Sequence, residues 1–423
     1  MLDIKEIRSQ PESVEARLKS KDPTVTLSPI LLLDEDVRNL KTEVEEIKNK
    51  RNSLSKQIGE KKRAGEDAAP LMAEVGGLGD AIAEIDKQLA SKEEKLHDLL
   101  SRLPNLPEEG AAISQNIEDN VILRTHKEKP DFGFEPKNHV QLNEKLNLFD
   151  FKRAAKASGS NWPAYCGNGA KLEWALINYM LDYHQENGFQ FWLPPLLVRP
   201  EIGHGAAQLP KFEKQLFKIK DEDYDLYLIP TSEMALMGLH HSEILDEETL
   251  PRKYVSYTPC FRREAGGLGA QERGLIRMHQ FNKVEMFAYA TPEQSEALFE
   301  EMVGHAEKLI EGLGLHFRTA ELVTGDMSFA AAKTIDLEVW LPGQDRYYEV
   351  SSISQCTDFQ SRRSHTRVKK GQDKPRFCHT LNGSGLATSR LMVALLENNQ
   401  REDGTVEIPL ILHKYLNGMK ELT

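Results

Sequence analysis

Two runs of apolar residues at heptad spacing, separated by a short breaker, limit what the first quarter of this chain can fold into. The breaker is AGEDAAP at residues 64–70. Two helices joined by so short a turn must run antiparallel and bury their apolar seams against each other. We therefore expect a helical hairpin over about residues 34–103. Its apolar positions are Val37, Leu40, Val44, Ile47, Leu54 and Ile58 before the breaker, and Leu71, Val75, Leu78, Ile82, Ile85, Leu89, Leu96, Leu99 and Leu103 after it.

The first helix of this hairpin is strongly basic, whereas the second is net acidic and is expected to be interrupted by the glycines at 76, 77 and 79. A charged coiled coil commonly serves dimerisation, with its charges in solvent. The alternative is a basic arm that grips a phosphate backbone. The sequence alone leaves both interpretations open. Lys48, Arg51 and Lys56 are the cations that we single out for the second one.

The composition is that of a globular chain of 423 residues with a net charge of −12. This charge argues against a non-specific nucleic-acid binder, although a local basic surface remains compatible with it. The four cysteines form no CxxC pair, so we expect neither a zinc site nor a disulfide framework. The charged N-terminus lacks the apolar region of a secretory signal, and no apolar run approaches the length of a membrane span. We therefore expect a cytoplasmic protein without membrane association.

Beyond SRLPNLPEEG at residues 101–110, the pattern changes to short apolar runs separated by helical stretches, of which residues 171–186 form the longest. The runs FWLPPLLV, YDLYLIP, RKYVSYTPCF, IDLEVWL and YYEVSSIS predict strands. Few repeats have βαβ length, which favours a mixed, mainly antiparallel sheet flanked by helices. The expected fold class is α+β, with an N-terminal domain over 1–110, a polar linker over 111–130 and a second domain over 131–423.

The segment FRREAGGLGAQERGLIRMHQFNKVEMF, residues 261–287, carries more charge than a β-hairpin normally does. Side chains alternate between the two faces of a strand, so each strand presents one polar set. The first set is Cys260, Arg262 and Glu264, and the second is His279, Phe281, Lys283 and Glu285. If both sets face one cleft, that cleft holds cations, carboxylates and an aromatic ring.

Such a cleft suits an anionic ligand with a flat base. Arg262 would clamp a phosphate through two hydrogen bonds, and Phe281 would stack the base. The connecting loop, which carries Glu272, Arg273 and Arg277, would close over a polyphosphate. The alternative is an exposed hairpin edge whose charges prevent aggregation.

Two later segments add to the anion-binding interpretation. YYEVSSIS places Glu349, Ser351 and Ser352 on a strand, and a carboxylate with nearby hydroxyls is a plausible ligand set for Mg²⁺. In HTLNGSGLATSRLMVALLENNQ we predict a strand, a glycine-rich turn at NGSG and an amphipathic helix with Arg390 near its start. A turn of this kind can accept anionic groups, although it can also serve only as a helix cap.

The segments FRREAG and RMHQF, together with LNGSGLATSR, resemble the second and third signature motifs of class II aminoacyl-tRNA synthetases. The helix before FWLPPLLV, with Pro194 or Pro195, is similar to the first motif, which builds the dimer interface in that class. The order of LIPTSE, RGLIRMHQFNKVEMF, TGDMSFAAAKTIDLEVWLP and HTLNGSGLA behind a helical arm resembles bacterial-type seryl-tRNA synthetases over essentially the whole chain. The segment GHGAAQLPKF and Asn161 depart from the family pattern.

This resemblance implies an ATP site on the sheet. Arg262 would hold the α-phosphate, Phe281 would stack the adenine ring, and Glu264 would meet the adenine end. Arg277 and Arg390 would take the β- and γ-phosphates. The implied ATP-binding set is Arg262, Arg263, Glu264, Arg277, Met278, Phe281, Glu349, Val350, Ser351, Ser352 and Arg390, with Arg262, Glu349 and Arg390 as the catalytic residues.

The resemblance also implies a serine pocket beside the ATP site. Thr231 and Glu233 would surround the α-amino group, while Glu285 and Ser384 would meet the side-chain hydroxyl. The implied serine-binding set is Thr231, Ser232, Glu233, Arg262, Glu285, Asn382 and Ser384. Glu349 and Ser352 would hold Mg²⁺, and no zinc is implied.

The partners implied by the resemblance are L-serine, ATP, tRNA(Ser) and a second copy of the chain, and it leaves open whether tRNA(Sec) is also charged. Lys48, Arg51 and Lys56 would contact the tRNA. Three alternatives are a class II synthetase for another amino acid, a related ligase that loads a carrier protein, and a non-catalytic tRNA-binding coiled-coil protein. The missing zinc ligands and editing domain argue against the first, and the helical arm argues against the second. Against the third argue the intact residues Arg262, Glu264, Glu349 and Arg390.

Overall fold

The computed structural model describes residues 1–264 and 274–423, so Glu272 and Arg273 of the predicted closing loop lie outside the described residues. The chain divides into two compact units. One covers residues 2–104, and the other consists of Met1 and residues 105–423.

The N-terminal unit is entirely helical. Its helices are α1 (Ile4–Ser9), α2 (Pro11–Lys21), α3 (Ser28–Ala64) and α4 (Ala69–Ser101). α3 ends where Gly65 adopts the left-handed conformation, with φ of 78°. The antiparallel pairing of α3 and α4 confirms the predicted hairpin, because Lys41, Lys48 and Lys50 form ion pairs with Glu93, Asp86 and Glu74 in reverse order. Its buried seam contains Val44, Ile82 and Ile85.

The three glycines near the tip of the hairpin do not interrupt α4, contrary to our expectation. A Cβ atom added to Gly76, Gly77 or Gly79 would meet no atom within 4 Å, so close packing does not require any of them. Their remaining effect is the larger conformational freedom of glycine in the unfolded chain.

Replacing these three glycines with alanine is therefore expected to stabilise the tip of the arm by about 1 kcal/mol per position. Amide hydrogen exchange on the full chain measures this directly, as roughly fivefold greater protection per substitution for the neighbouring amides. Unchanged or reduced protection in α4 would show that the glycines serve a purpose that this structure does not reveal.

The described part of the C-terminal unit contains eight α-helices and fifteen strands. The helices are α5 (His139–Leu146), α6 (Phe151–Ser158), α7 (Gly167–Glu186), α8 (Pro200–Gly205), α9 (Ser232–Gly238), α10 (Pro292–Gly312), α11 (Phe359–Ser364) and α12 (Thr388–Asn398). The strands are β1 (Val121–His126), β2 (Gln190–Trp192), β3 (Leu197–Val198), β4 (Tyr227–Leu228), β5 (Ile244–Asp246), β6 (Arg252–Phe261), β7 (Gln280–Ala290), β8 (Phe317–Glu321), β9 (Lys333–Leu341), β10 (Arg346–Gln355), β11 (Arg367–Lys369), β12 (Arg376–Phe377), β13 (His379–Ala387), β14 (Val406–Glu407) and β15 (Glu421–Leu422).

Eight of these strands form one sheet in the order β1-β8-β9-β10-β13-β7-β6-β2. All neighbours in it are antiparallel except β2 and β6, which run parallel. This confirms the predicted mixed, mainly antiparallel sheet with flanking helices. Helices α7, α10 and α12 pack against the sheet, and β7 is buried from Lys283 to Ala290. Only the first part of β7 is partly exposed, and the site described below forms there.

The segment NGSG, Asn382 to Gly385, is not a turn, and this prediction was wrong. It belongs to β13, and the helix begins only at Thr388. Its glycines allow close packing, because a Cβ at Gly383 would lie 2.9 Å from Ile353 Cγ1, and one at Gly385 would lie 2.6 Å from His184 Nε2.

Part of the predicted linker belongs to the sheet. Residues 121–126 form β1, which pairs with β8 at the sheet edge. Five of the six β1 residues are exposed, so this strand shows little of the apolar alternation that would have identified it from the sequence. Among the described residues, no helix has both the length and the apolar character needed to cross a membrane.

Candidate active site

Two adjoining cavities lie at the partly exposed end of β7. The first encloses about 280 Å³ and is lined by Arg262, Glu264, Ile276, Arg277, Met278, Phe281, Lys283, Tyr348, Glu349, Ser384, Ala387, Ser389 and Arg390. The second encloses about 200 Å³ and is lined by Ala207, Gln208, Phe212, Thr231, Glu233, Arg262, Lys283, Glu285, Ser328, Phe329, Ala330, Glu349, Ser352, Ser354, Asn382 and Ser384. Arg262, Lys283, Glu349 and Ser384 border both cavities and mark their junction.

The predicted alternation on β7 is correct for the residues that line these cavities. Phe281, Lys283 and Glu285 share one face, where they lie opposite Cys260, Thr258 and Ser256 of β6. His279 was expected on this face but lines neither cavity. Its ring instead packs 5.4 Å from that of Trp162.

A bulge in β10 brings Glu349 and Ser352 to the same face. The pairing with β9 shifts between Glu349 and Ser351, so one extra residue is accommodated there. Without this shift, two residues three positions apart would point to opposite faces. Val350 is buried in the hydrophobic core, and Ser351 donates a hydrogen bond of 2.5 Å to the Ser384 carbonyl.

The first cavity combines three guanidinium groups with an aromatic ring. Arg262 lies 5.0 Å from the centre of the Phe281 ring, and its Nε donates to the Pro230 carbonyl at 3.3 Å. The other two arginines are paired with carboxylates. Arg277 Nε lies 2.5 Å from Glu264 Oε2, and Arg390 Nη1 lies 3.1 Å from Glu349 Oε2. An anionic ligand would compete with both carboxylates for these cations.

The second cavity contains a hydrogen-bonded cluster around Glu285. Thr231 Oγ1 donates to Glu285 Oε2 at 2.9 Å and accepts from Lys283 Nζ at 2.8 Å, while Lys283 also forms an ion pair with Glu285. The buried lysine therefore compensates the Glu285 charge and fixes the direction of the Thr231 hydroxyl.

Glu233 lies in the same cavity without a cation bonded to it among the described contacts. It accepts hydrogen bonds from Gln360 Nε2 at 2.5 Å and Asn382 Nδ2 at 3.1 Å. Burial raises the pKa of Glu233 to about 7, and the negative charge of Glu285 adds to this shift. The group is thus poised to change charge near neutral pH.

Four residues of the expected ligand sets do not point into either cavity. Arg263 is exposed, and Ser232 is buried in a hydrogen bond of 2.8 Å with Ser256. Val350 and Ser351 face away from the cavities, as described above. The remaining expected residues line one cavity or both.

Lys283 lines both cavities and Gln360 donates to Glu233, and we predicted no role for either residue from the sequence. The alternation of β7 already placed Lys283 between Phe281 and Glu285, so its position carried a usable signal. Gln360 lies on α11, and its partner Glu233 is 127 residues away in sequence. No periodicity connects residues so far apart.

Two carboxylates and a hydroxyl meet beside the junction of the cavities. Asp336 of β9 lies directly opposite Ser352 in the sheet, and its buried Oδ1 has no hydrogen-bond partner in the described part of the chain. Burial raises the pKa of Asp336, and the Glu349 carboxylate raises it further. A divalent cation would relieve both effects, so this set fits Mg²⁺. Within residues 1–264 and 274–423, no three His, Cys, Asp or Glu side chains form a metal-binding group.

Known protein families match both units of the chain. The Seryl-tRNA synthetase N-terminal domain matches residues 1–107, and the tRNA synthetase class II core domain (G, H, P, S and T) matches residues 217–399. Serine--tRNA ligase from Chlamydia abortus is 53% identical over 422 residues, covering 100% of both chains. Serine--tRNA ligase from Chlamydia trachomatis serovar L2 is 51% identical over 100% of this chain and 99% of its own.

Solved structures agree with these relatives. Seryl-tRNA synthetase from Pyrococcus horikoshii, complexed with ATP, has a TM-score of 0.95 and 38% identity, covering 100% of this chain and 99% of that one. Cytoplasmic serine-tRNA ligase from Naegleria fowleri, in complex with AMP, has a TM-score of 0.90 and 28% identity with the same coverage. The resemblance inferred from the motifs is thereby confirmed: the chain belongs to the seryl-tRNA synthetase family of class II aminoacyl-tRNA synthetases.

Proposed function

We propose that this chain activates L-serine with ATP to give seryl-adenylate and pyrophosphate, and then transfers serine to the 3′ end of tRNA(Ser). The observation that carries this proposal is the junction of the two cavities. Arg262 and Lys283 line both the first cavity, which is rich in arginines, and the second cavity, which is rich in carboxylates, so both cations lie at this junction. A nucleotide in the first cavity and an amino acid in the second would meet where positive charge is concentrated.

ATP would occupy the first cavity with its phosphates among the arginines. Arg262 takes the α-phosphate at the junction, and Arg277 and Arg390 take the β- and γ-phosphates. To do so they give up their present contacts with Glu264 and Glu349, which frees Glu264 for the adenine end. The adenine ring stacks on Phe281, in place of the Arg262 guanidinium that now lies over it.

Both reactants of the first step are anions, because the serine carboxylate attacks the α-phosphorus and pyrophosphate leaves. A carboxylate that is ionised at neutral pH needs no general base. Catalysis then consists of positioning and of neutralising charge in a site prepared for it. Arg262 and Lys283 are the cations at the point of attack, and Arg390 stabilises the departing pyrophosphate.

Serine would bind in the second cavity through its three polar groups. Glu233 faces the α-ammonium group, with Thr231 beside it, and Glu285 accepts a hydrogen bond from the side-chain hydroxyl. Asn382 and Ser384 complete the polar wall. The ion pair with Lys283 fixes the Glu285 carboxyl group in this wall, where its oxygens can accept from that hydroxyl.

Mg²⁺ would be held by Glu349, Ser352 and Asp336, and would neutralise charge on the nucleotide phosphates. Asp336 extends the pair of ligands expected from the sequence, because its buried Oδ1 and raised pKa fit a cation beside it. The proposed reaction needs no zinc.

The helical hairpin α3–α4 would bind the tRNA through its basic side. Arg51 and Lys56 form no ion pair among the described contacts, whereas Lys48 lies 3.6 Å from Asp86.

Exposed apolar side chains support a homodimer, since Trp174 of α7 is 54% exposed and Leu193, just past the edge strand β2, is 71% exposed. We place this enzyme in the cytoplasm, and we assign residues 1–110 to a tRNA-binding domain and residues 131–423 to a catalytic domain.

Charging assays with purified tRNA transcripts test the proposal. Serine should be attached to tRNA(Ser) in an ATP-dependent reaction, and the same assay with tRNA(Sec) decides whether that tRNA is also a substrate. Failure to charge tRNA(Ser), with a folded enzyme and an active tRNA, would contradict the proposed function.

Serine binding should depend on pH through Glu233. Because its pKa is raised to about 7, Glu233 is neutral at lower pH and cannot pair with the ammonium group of serine. The kcat/KM for serine in pyrophosphate exchange is therefore expected to rise about tenfold per pH unit below pH 7 and to level off above it. Glu233→Gln should lower kcat/KM and abolish this rise, whereas Glu300→Gln, an exposed control, should not. A rise that persists in Glu233→Gln would assign the titration to another group.

A further inference from the structure

Glu173 is a buried carboxyl group that lies outside both cavities and has no part in the reaction described above. It belongs to α7, and only 4% of the residue is exposed. Its Oε1 accepts a hydrogen bond from Asn282 Nδ2 of β7 at 2.9 Å and also contacts Thr388 Oγ1 at the start of α12. Its Oε2 is buried without a hydrogen-bond partner among the described residues. Glu173 therefore joins three elements of the fold.

The Thr388 hydroxyl lies against two oxygens, one of the Glu173 carboxyl group and one of the Asn282 backbone. The Thr388 hydroxyl has a single hydrogen and lies 2.9 Å from the Asn282 carbonyl oxygen, which can only accept. If Thr388 donates to that carbonyl, its contact with Glu173 requires a hydrogen on Glu173 Oε1. A protonated Glu173 thus satisfies both contacts, whereas a carboxylate draws the Thr388 hydrogen away from Asn282.

The surroundings of Glu173 also favour its neutral form. The titratable groups that face it are Tyr165, whose hydroxyl is buried without a partner in the described chain, and Tyr257 of β6. In the described part of the chain, β7 and α12 bring the uncharged Asn282 and Thr388 to it, and no cation there pairs with Glu173. Burial raises the pKa of Glu173 to about 7, although hydrogen bonds that Thr388 and Asn282 would donate to its ionised form oppose this rise.

Both partners of Glu173 adjoin residues of the nucleotide cavity. Asn282 stands between Phe281 and Lys283 on β7, and Thr388 precedes Arg390 by two residues. A change in the Thr388 hydrogen bond would therefore act on both segments that hold the adenine and the phosphates. We propose that Glu173 is a protonated positioning residue that ties the ATP-facing segments of β7 and α12 together, and that loss of its proton weakens ATP binding; this rests on the proposed function of the cavity.

ATP titrations by calorimetry at pH 6.0 to 8.5, without serine, test this inference. The Kd of the unaltered enzyme for ATP is expected to rise about fivefold across pH 7, the effect of one hydrogen bond. Binding above pH 7 should take up protons, seen as a dependence of the heat on the buffer. Glu173→Gln, which cannot ionise, should lose both effects, and Glu186→Gln, an exposed control on the same helix, should keep them. A Kd that responds equally to pH in Glu173→Gln and the unaltered enzyme would overturn the inference.

An infrared measurement separates this inference from the proposed function. The difference spectrum between pH 6 and pH 8 should show the C=O stretch of a buried protonated carboxyl group, and Glu173→Gln should lack that band. This readout does not depend on ATP. If the band is present but ATP does not bind, the proposed function fails while the protonation of Glu173 stands. If Glu173→Gln retains every such band, Glu173 is ionised and the inference is wrong.

Discussion

Replacing Arg262 with alanine is expected to lower serine-dependent ATP–pyrophosphate exchange by about 10²- to 10³-fold, the usual effect of removing one group that stabilises a transition state. Arg262 borders both cavities, so it stands where the carboxylate of one substrate would meet the α-phosphate of the other. Lys283, the second cation at this junction, is already paired with Glu285. Because part of its charge is already compensated, Lys283 should not make up for the missing guanidinium group.

The loss of exchange should occur without a change in folding, because the described contacts of the Arg262 side chain are a hydrogen bond to a backbone carbonyl and stacking on a partly exposed ring. Arg153→Ala is the matched control, since the Arg153 side chain is 84% exposed on α6 and lines neither cavity. Exchange kinetics and circular dichroism on both variants measure the two effects. Near-normal exchange in a folded Arg262→Ala protein would remove the β6–β7 hairpin from the active site.

Deleting residues 37–99, with a short replacement turn, is expected to abolish tRNA charging at low tRNA concentration and to leave serine-dependent exchange nearly intact. The deleted segment belongs to the compact unit of residues 2–104, and its buried seam of Val44, Ile82 and Ile85 is internal to it. The cavities are lined entirely by residues of the other unit. If the enzyme without the hairpin charged tRNA with wild-type efficiency, the hairpin would serve dimerisation and not tRNA binding.

A charge-neutralising variant separates tRNA binding by the arm from a general effect of its removal. Changing Lys48, Arg51 and Lys56 to glutamine should weaken tRNA binding and flatten its salt dependence in proportion to the number of phosphates that the arm no longer neutralises. Because RNA helices present mainly phosphates and 2′-hydroxyls, this effect should be largely independent of sequence. The control changes Lys41, Lys50 and Lys92, which are ion-paired with Glu93, Glu74 and Asp36, and should have a smaller effect.

Local periodicity explains which parts of the fold the sequence could predict. The heptads identified the hairpin of α3 and α4 because each apolar position contacts the same partner helix. Alternation on β7 likewise placed Phe281, Lys283 and Glu285 on one face. Both patterns repeat within a single element, so they are visible without knowledge of the partners.

The features that the sequence did not predict depend on partners far away in the chain. We assigned the glycines of NGSG to a turn, but they lie in β13. At Gly385, His184 of α7 packs so closely that a side chain would not fit. The bulge that turns Glu349 and Ser352 to the same face is a property of the pairing between β9 and β10. The contact of Gln360 with Glu233 arises only when α11 meets α9.

Pyrophosphate exchange measured with each of the twenty amino acids tests the central claim most directly. The hydroxyl of serine would add a hydrogen bond to Glu285 that alanine cannot make, so alanine should react about 10⁴-fold less efficiently. Threonine, which carries one more methyl group than serine, should be disfavoured by steric contact in the pocket, by about 10- to 200-fold. The account predicts that serine alone supports rapid exchange. Exchange with another amino acid, or alanine within about tenfold of serine, would contradict it.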